Sequence, residues 1–196
     1  MIDLPDEPGP VSATPALLDF GAFLTPPLGG PLQRIDRLGG RFRISVSMPP
    51  LRGAQGRVWV SRLIRGKSEG VRMPLPLQGF DPGAPGSPVV DTAGQAGSTL
   101  KLRGCTPNYI FREGQFFSVV TGGRHHLISV AAETIAGSDG KVTLPIHPLI
   151  RVQHLDGDVV HVGKPMIEGF VVGEELAWEM QLAGFVGLSF ELQEAA

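Results

Sequence analysis

The sequence predicts a mainly β protein with one short α-helix, in which a β-sandwich or split-barrel core carries an inserted small β-barrel-like domain. Its 196 residues include 27 glycines and 18 prolines, too many for a helical protein because glycine weakens helices and proline breaks their interior. Several short runs alternate apolar and polar residues, which is the period of a half-buried strand. Stretches rich in glycine and proline separate these runs into units.

Residues 1–33 predict an extended, proline-rich N-terminal arm. They contain seven prolines, four glycines, four acidic residues and no Lys or Arg, so we expect no packed regular element there. Exposing the apolar residues of this segment to water would be costly, so we expect the arm to lie on its own domain or on a neighbouring subunit. These apolar residues are Leu17, Leu18, Phe20, Phe23 and Leu24.

The next segment predicts two strands. In RFRISVSM, residues 41–48, every second residue is apolar, and two prolines end the run. In GVRMPLPL, residues 70–77, the two prolines are compatible with an edge strand rather than with the centre of a sheet.

A helix is predicted between these strands, over about residues 54–65. Trp59 and Leu63 are four positions apart, as are Val60 and Ile64, and Gly66 follows. A strand over RVWVSRLI, residues 57–64, is the alternative.

Residues 78–97 hold five glycines and three prolines and indicate a connection between two units. A second β-rich section follows, with a hairpin about a Thr-Gly-Gly turn and a further strand after the Ser-Asp-Gly turn. The chain then closes with AWEMQL and VGLSFEL, which predict a terminal antiparallel hairpin with Trp178, Met180 and Leu182 on one face.

We interpret these segments as two domains, of which the first is discontinuous. Residues 34–82 and 165–196 would form the β core with the helix, and residues 89–163 would form the inserted β-domain. Chain termini often lie close together at the surface of a domain, which favours a shared sheet for the two ends. A simple tandem of two domains is the alternative.

The adjacent residues His125 and His126 are the most conspicuous candidates for a metal or catalytic site. Side chains alternate faces along a strand, so the two cannot point at one ion unless a bulge intervenes. With a two-residue Gly122-Gly123 turn, His126 lies on the face of Phe117 and Ile128, whereas His125 lies on the face of Leu127. A three-residue loop would change which strand faces which, but in either register one histidine is semi-buried and the other faces out. We therefore expect a satisfied structural histidine rather than a ligand or a proton-handling group.

The other histidines, His147, His154 and His161, are seven residues apart, a spacing that supports no zinc or iron site. The single Cys105 excludes an intramolecular disulfide and is expected to fill space in the core. We predict no catalytic, cofactor-binding or metal-binding residue, and no cofactor.

The acidic residues and the remaining motifs point to no enzyme class. Glu174, Glu175 and Glu179 lack a second acidic cluster that would complete a glycosidase pair. No Gly-x-Ser-x-Gly elbow and no phosphate-binding Gly-x-x-x-x-Gly-Lys loop occurs.

Charge and hydropathy narrow the range of partners. The net charge is −2 and the basic residues are scattered, so we expect no nucleic-acid partner. No apolar run is long enough for a membrane span, and the acidic start MIDLPDEP differs from a signal peptide. We expect a soluble protein without an export signal.

Eight segments follow one another in a characteristic order over about residues 38–195. They are LGGRFRISVSMPPL, the helical stretch with Trp59, VVDTAGQAGSTLKLRG, EGQFFSV, GRHHLISV, GKVTLPIHPLIR, DGDVV and WEMQLAGFVGLSFELQEA. This order resembles a family of structural proteins of the tail tip of long-tailed phages, the distal tail or baseplate proteins. The sequence departs from that family at His147, where an aromatic residue is expected before Pro148, and in the length of residues 1–33.

This resemblance implies a non-enzymatic virion protein, assembled in the bacterial cytoplasm and located at the phage tail tip. Its subunits would form a homo-oligomeric ring, six-fold being favoured, between the tail tube and the tail hub proteins.

Two other classes of function stay open. One is a glycan-binding β-module used in host attachment, for which Trp59, Tyr109 and Trp178 are the residues able to stack on sugars. The other is a hydrolase that uses the histidines.

Overall fold

The computed structural model describes residues 1–77 and 79–195, which form eighteen strands and one α-helix. Before residue 78, the elements are β1 (Ile2–Asp3), β2 (Ser12–Leu18), β3 (Ala22–Leu24), β4 (Gln33–Ile35), β5 (Arg41–Ser47), β6 (Leu51–Arg52), α1 (Gly53–Glu69) and β7 (Val71–Pro74). After it, they are β8 (Gly86–Val90), β9 (Thr99–Cys105), β10 (Ile110–Phe111), β11 (Phe116–Thr121), β12 (Arg124–Val130), β13 (Thr134–Ile135), β14 (Val142–His147), β15 (Val160–His161), β16 (Met166–Val172), β17 (Trp178–Met180) and β18 (Phe185–Glu194).

The larger sheet is built around the last strand. Its order is β1-β7-β16-β18-β5-β2, and β6 and β17 both pair with the first half of β18. Alternate residues of β18, namely Leu188, Phe190 and Leu192, are buried because every second side chain points to the same face. The antiparallel pair β17 and β18 confirms the predicted terminal hairpin.

Helix α1 covers one face of this sheet and confirms the predicted helix, so the strand alternative for residues 57–64 is wrong. Its buried residues recur every three or four positions, which is the spacing of one helical face: Gly56, Trp59, Val60, Leu63 and Gly66. A Cβ at Gly66 would lie 2.5 Å from Cγ1 of Val71, so glycine allows the helix to approach the sheet closely. Gly70, with φ of 75°, ends the helix.

The second sheet is a nearly closed antiparallel barrel with the strand order β15-β11-β12-β14-β9-β8. Its two edges approach each other through a bridge between Val89 and Val159 and a hydrogen bond from the Val90 N–H to the Asp158 carbonyl, 2.9 Å. Closure of the barrel pairs backbone donors and acceptors that an open strand edge would expose to other chains. The interior is filled by aliphatic and aromatic side chains, among them Leu100, Phe117, Ile128, Leu144 and Ile146.

The turn between β11 and β12 sets the register predicted for the histidine pair. Gly122 and Gly123 have φ of 59° and 77°, and positive values at both positions are what the type I′ two-residue hairpin turn requires. Val119 pairs with His126 as a consequence. His126 therefore points into the barrel, whereas Leu127 belongs to the core of the larger sheet.

The strands of the larger sheet come from residues 2–74 and 166–194, and those of the barrel from residues 86–161. Thus the polypeptide leaves the larger sheet after β7, forms the barrel, and returns to the larger sheet with β16. Residues 75–77 and 79–85 make the outgoing connection, and Leu75 still donates a backbone hydrogen bond to Pro165, 2.8 Å.

The expectation of no regular element in residues 1–33 is wrong. Strand β2 pairs with β5 along its whole length, and β3 and β4 form a separate hairpin. Pro15 is tolerated because β2 is an edge strand, where a missing N–H leaves no partner unpaired.

Candidate functional site

A buried carboxylate joins the barrel to the larger sheet. Glu194 accepts hydrogen bonds from the backbone N–H groups of Leu127, 2.8 Å, and Phe42, 2.7 Å. An oxygen of the same carboxylate lies 2.8 Å from Nη2 of Arg151, and Nη1 of Arg151 donates to the carbonyl of Gly40. Burial raises the pKa of Glu194, although Arg151 and the two N–H groups oppose this shift. The cluster connects β12, β18 and the segment after β14, which suits a structural joint.

His125 lies on the outer face of the barrel, between the two sheets. Its ring is 5.2 Å from that of His161, and its Nδ1 is 3.3 Å from Oγ of Ser118. Its backbone N–H faces the buried carboxylate of Glu168 at 3.4 Å. Burial lowers the pKa of His125 to about 4, and His161 and Arg72 act in the same direction. The imidazole is therefore neutral at neutral pH.

His126 lies inside the barrel, next to His154. The ring centroids are 5.9 Å apart, and Nδ1 of His126 has no hydrogen-bond partner among the described residues. Nδ1 of His154 is 2.7 Å from Oγ1 of Thr121, and the Thr121 hydroxyl donates its hydrogen to Asp158. Burial lowers the pKa of His126 to about 4, with Arg151 and His154 adding to the shift.

Strand alternation thus separates the adjacent histidines into two pairs, His125 with His161 and His126 with His154. Neither pair contains a third ligand, and the described ranges hold no group of three or more His, Cys, Asp or Glu that could bind a metal ion. His147, the fifth histidine, is exposed at the end of β14. His126 is buried on the inner face of its strand, and His125 is half-buried on the outer face.

The remaining candidates for chemistry are isolated from one another. Cys105 is buried in the barrel, and burial raises its pKa to about 11, which disfavours the reactive thiolate. Glu174, Glu175 and Glu179 are exposed on and before β17.

The three aromatic residues considered for sugar stacking differ in exposure. Trp59 belongs to α1 and is buried between the helix and the larger sheet, next to Phe190. Tyr109 is half-buried and donates its hydroxyl to the carbonyl of Pro82, 2.7 Å. Trp178 is 39% exposed. Of the three, Trp178 presents the largest fraction of its surface to solvent.

The most distinctive surface is a set of exposed apolar side chains on residues 20–38, which we call the hairpin arm. It consists of the β3–β4 hairpin with its long loop and flanking residues. Leu28, in the loop, is 97% exposed. Arg34 holds the base of the arm through ion pairs with Asp19, 2.7 Å, and Asp36, 2.6 Å. The exposed apolar side chains are Phe20, Phe23, Leu24, Leu28, Leu32, Ile35 and Leu38.

A second apolar surface lies between α1 and β17, and we call it the helix groove. It is an open groove of about 470 Å³. Met180 is 79% exposed at its edge, and the guanidinium of Arg65 pairs with Glu69 beside it. The apolar side chains that line it are Val60, Ile64, Trp178, Met180 and Val186.

No protein-family model matches this chain, and no curated protein matches its sequence. Among the described residues, no helix is both long and apolar enough to cross a membrane.

Sequence reasoning missed two features. The Glu194–Arg151 joint links residues 43 positions apart and has no local signal. The helix groove combines side chains from α1, β17 and β18, which only the pairing of strands brings together. The apolar character of the arm was visible in the sequence up to Leu24, and Leu28 and Leu32 extend it.

Proposed function

We propose that the protein is a structural subunit of a phage-like tail tip, which forms a ring or connector between the tail tube and the tip or baseplate. The observation that carries this proposal is the hairpin arm. A chain that works as a monomer rarely exposes so many neighbouring apolar side chains, whereas a subunit of an assembly covers them with a neighbour.

The use of the polar residues agrees with this role. The buried Glu194 and Arg151 hold the barrel on the larger sheet. His125 and His126 lie on opposite faces of one strand and are neutral at neutral pH, so they do not form one acid–base pair. The buried polar groups thus make contacts between the two sheets, which suits a scaffold subunit.

The partners in this proposal are inferred from the order of segments, which resembles that of the distal tail proteins. We propose a homo-oligomeric ring, six-fold being favoured, that contacts the tail tube and the tail hub proteins, with no nucleic-acid partner. Assembly would take place in the bacterial cytoplasm, and the final location would be the tail tip of the virion.

Two measurements test the proposal. Mass spectrometry of purified tail particles should detect the protein in a constant ratio to the tube protein, and antibody labelling in electron micrographs should mark the tip. Finding the protein only as a free monomer outside such particles would overturn the proposal.

Glycan binding is the second candidate, and Trp178 is the observation that favours it. Its exposed indole lines the helix groove and offers an apolar face of the kind that stacks on sugars. A glycan panel with wild-type protein and Trp178→Ala tests this role. Binding that the substitution abolishes would support it, and no binding to any glycan would exclude it.

A further inference from the structure

The hairpin arm and the helix groove lie at opposite ends of the larger sheet. The arm follows Leu18, which pairs with Arg41 at the first residue of β5, beside the barrel. The groove contains Val186, at the far end of β18, where β6 and β17 pair. Along the strand direction, about nine residues separate Val186 from the position opposite Arg41, and at about 3.3 Å per residue this corresponds to about 30 Å. The arm of one molecule therefore does not fill the groove of the same molecule.

The arm is large enough to form a specific interface. Its seven exposed side chains, weighted by their exposed fractions, offer apolar surface on the order of 700 Å². The largest apolar patch on a typical monomer is about 300–600 Å², and a standard interface buries about 800 Å² on each partner. Phe23 and Leu24 are adjacent in β3 and point to opposite sides of the hairpin, so a partner covers this whole area only if it encloses the arm, as a groove does.

The shape and charge of the arm suit an apolar groove. Residues 20–33 contain no charged side chain, so the arm itself brings no charge into the groove. Arg57 and Arg65 are the charged residues of the groove lining, and Arg65 is paired with Glu69. The tip of the loop is open to solvent, since Leu28 is 97% exposed and a Cβ at Gly29 would have nothing within 4 Å. The groove provides exposed, flexible or branched apolar side chains in Ile64 and Met180, which can adapt to an inserted leucine.

We propose that the hairpin arm of one copy docks in the helix groove of a second copy of the same chain. The contact is heterologous, because two different surfaces meet, and repetition of such a contact closes into a ring or continues as a filament. This inference rests on the proposed function and deepens it, since it names the surfaces through which the subunits of the ring associate.

Two substitutions disable the surfaces separately. Leu28→Asp places a charge at the tip of the arm, and Met180→Asp places one in the groove. Both side chains are mostly exposed, so neither substitution removes a core contact, and thermal unfolding should verify that each variant folds. Leu155→Asp, at an exposed leucine of the barrel distant from both surfaces in the sequence, is the matched control.

Light scattering coupled to size-exclusion chromatography should show concentration-dependent association of the wild type and of Leu155→Asp. Each of the other two variants alone should be monomeric, with an association constant at least tenfold weaker. A mixture of Leu28→Asp with Met180→Asp should form a dimer and no larger species, because one intact arm meets one intact groove.

The alternatives predict other results. If arms docked on arms, Met180→Asp alone would associate as the wild type does while Leu28→Asp alone stayed monomeric, and the proposal would be wrong. If another protein covered the arm, the wild type would stay monomeric at high concentration, which also overturns the proposal.

Two results separate the docking from the proposed function. If Leu28→Asp is present in tail particles at the wild-type level, the docking is refuted and the tail function stands. If the two variants pair as expected but tail particles do not contain the protein, the proposed function is refuted and the docking stands.

Discussion

Glu194 and Arg151 form a buried ion pair, with 2.8 Å between the carboxylate oxygen and Nη2, at the junction of the larger sheet and the barrel. The same carboxylate accepts backbone hydrogen bonds from Phe42 in the sheet and Leu127 in the barrel. One side chain thus ties together strands of both sheets. Its substitution tests how strongly the junction contributes to stability.

Glu194→Gln should lower the free energy of unfolding by about 3–5 kcal/mol, because Arg151 is left as a buried charge without a partner. Urea unfolding measures the change. Glu191→Gln is the matched control at the exposed pair with Arg43, and it should change stability by less than about 1 kcal/mol. Equal effects of the two substitutions would contradict a structural role of the buried pair.

His126 should make the protein less stable in acid. Its pKa is about 4 in the folded protein, against an ordinary value of 6.5, so the unfolded chain binds more protons between these values. Stability present above pH 6.5 is therefore lost as the pH falls towards 4.

His126→Leu should remove this part of the pH dependence. Urea unfolding at pH 7 and at pH 4.5 should show a smaller loss of stability for the variant than for the wild type. An NMR titration of the wild type provides the direct check, and an imidazole that titrates near pH 6.5 would refute the prediction.

Gly66→Ala should destabilise the protein, although alanine is the better helix former. The new Cβ would lie 2.5 Å from Cγ1 of Val71 and 3.1 Å from Cγ2 of Val171, so helix and sheet would have to separate. Overpacking of this kind costs about 1–3 kcal/mol. Thermal unfolding measures it, with Ser61→Ala on the exposed face of α1 as the control. A neutral or stabilising Gly66→Ala would show that the helix has room to move.

Leu127→Ala should lower the free energy of unfolding by about 2–5 kcal/mol, because its side chain is fully buried in the core of the larger sheet, where the barrel contacts that sheet. Tryptophan fluorescence reports the sheet through buried Trp59, and thiol labelling of Cys105 reports the barrel interior. In the wild type both signals should change at the same urea concentration. Two separate transitions in the wild type would show that the junction does not couple the two parts.

Local patterns in the sequence were sufficient for several elements. The alternation in residues 41–48 predicted β5, the four-residue spacing of apolar residues predicted α1, and the Gly122-Gly123 turn predicted opposite faces for His125 and His126. The helix extends to Glu69, four residues beyond the predicted end, because Gly66 packs against Val71 instead of ending it.

The N-terminal segment shows where composition was misleading. Its prolines and glycines argued against regular structure, yet β2 forms a seven-residue edge strand on β5. Pairing with an existing strand outweighs a weak local preference, because the backbone hydrogen bonds and the side-chain contacts form together.

The sequence by itself determined the β-rich class, the helix and the alternation of side chains along each strand, because these depend on the conformational preferences and the polarity of neighbouring residues. Only the tertiary structure decided that Glu194 meets Arg151, that two glycines of α1 face the sheet, and that an apolar arm and an apolar groove lie at opposite ends of one molecule. Such contacts join residues far apart in the chain, and their formation depends on packing and burial, which no local pattern encodes.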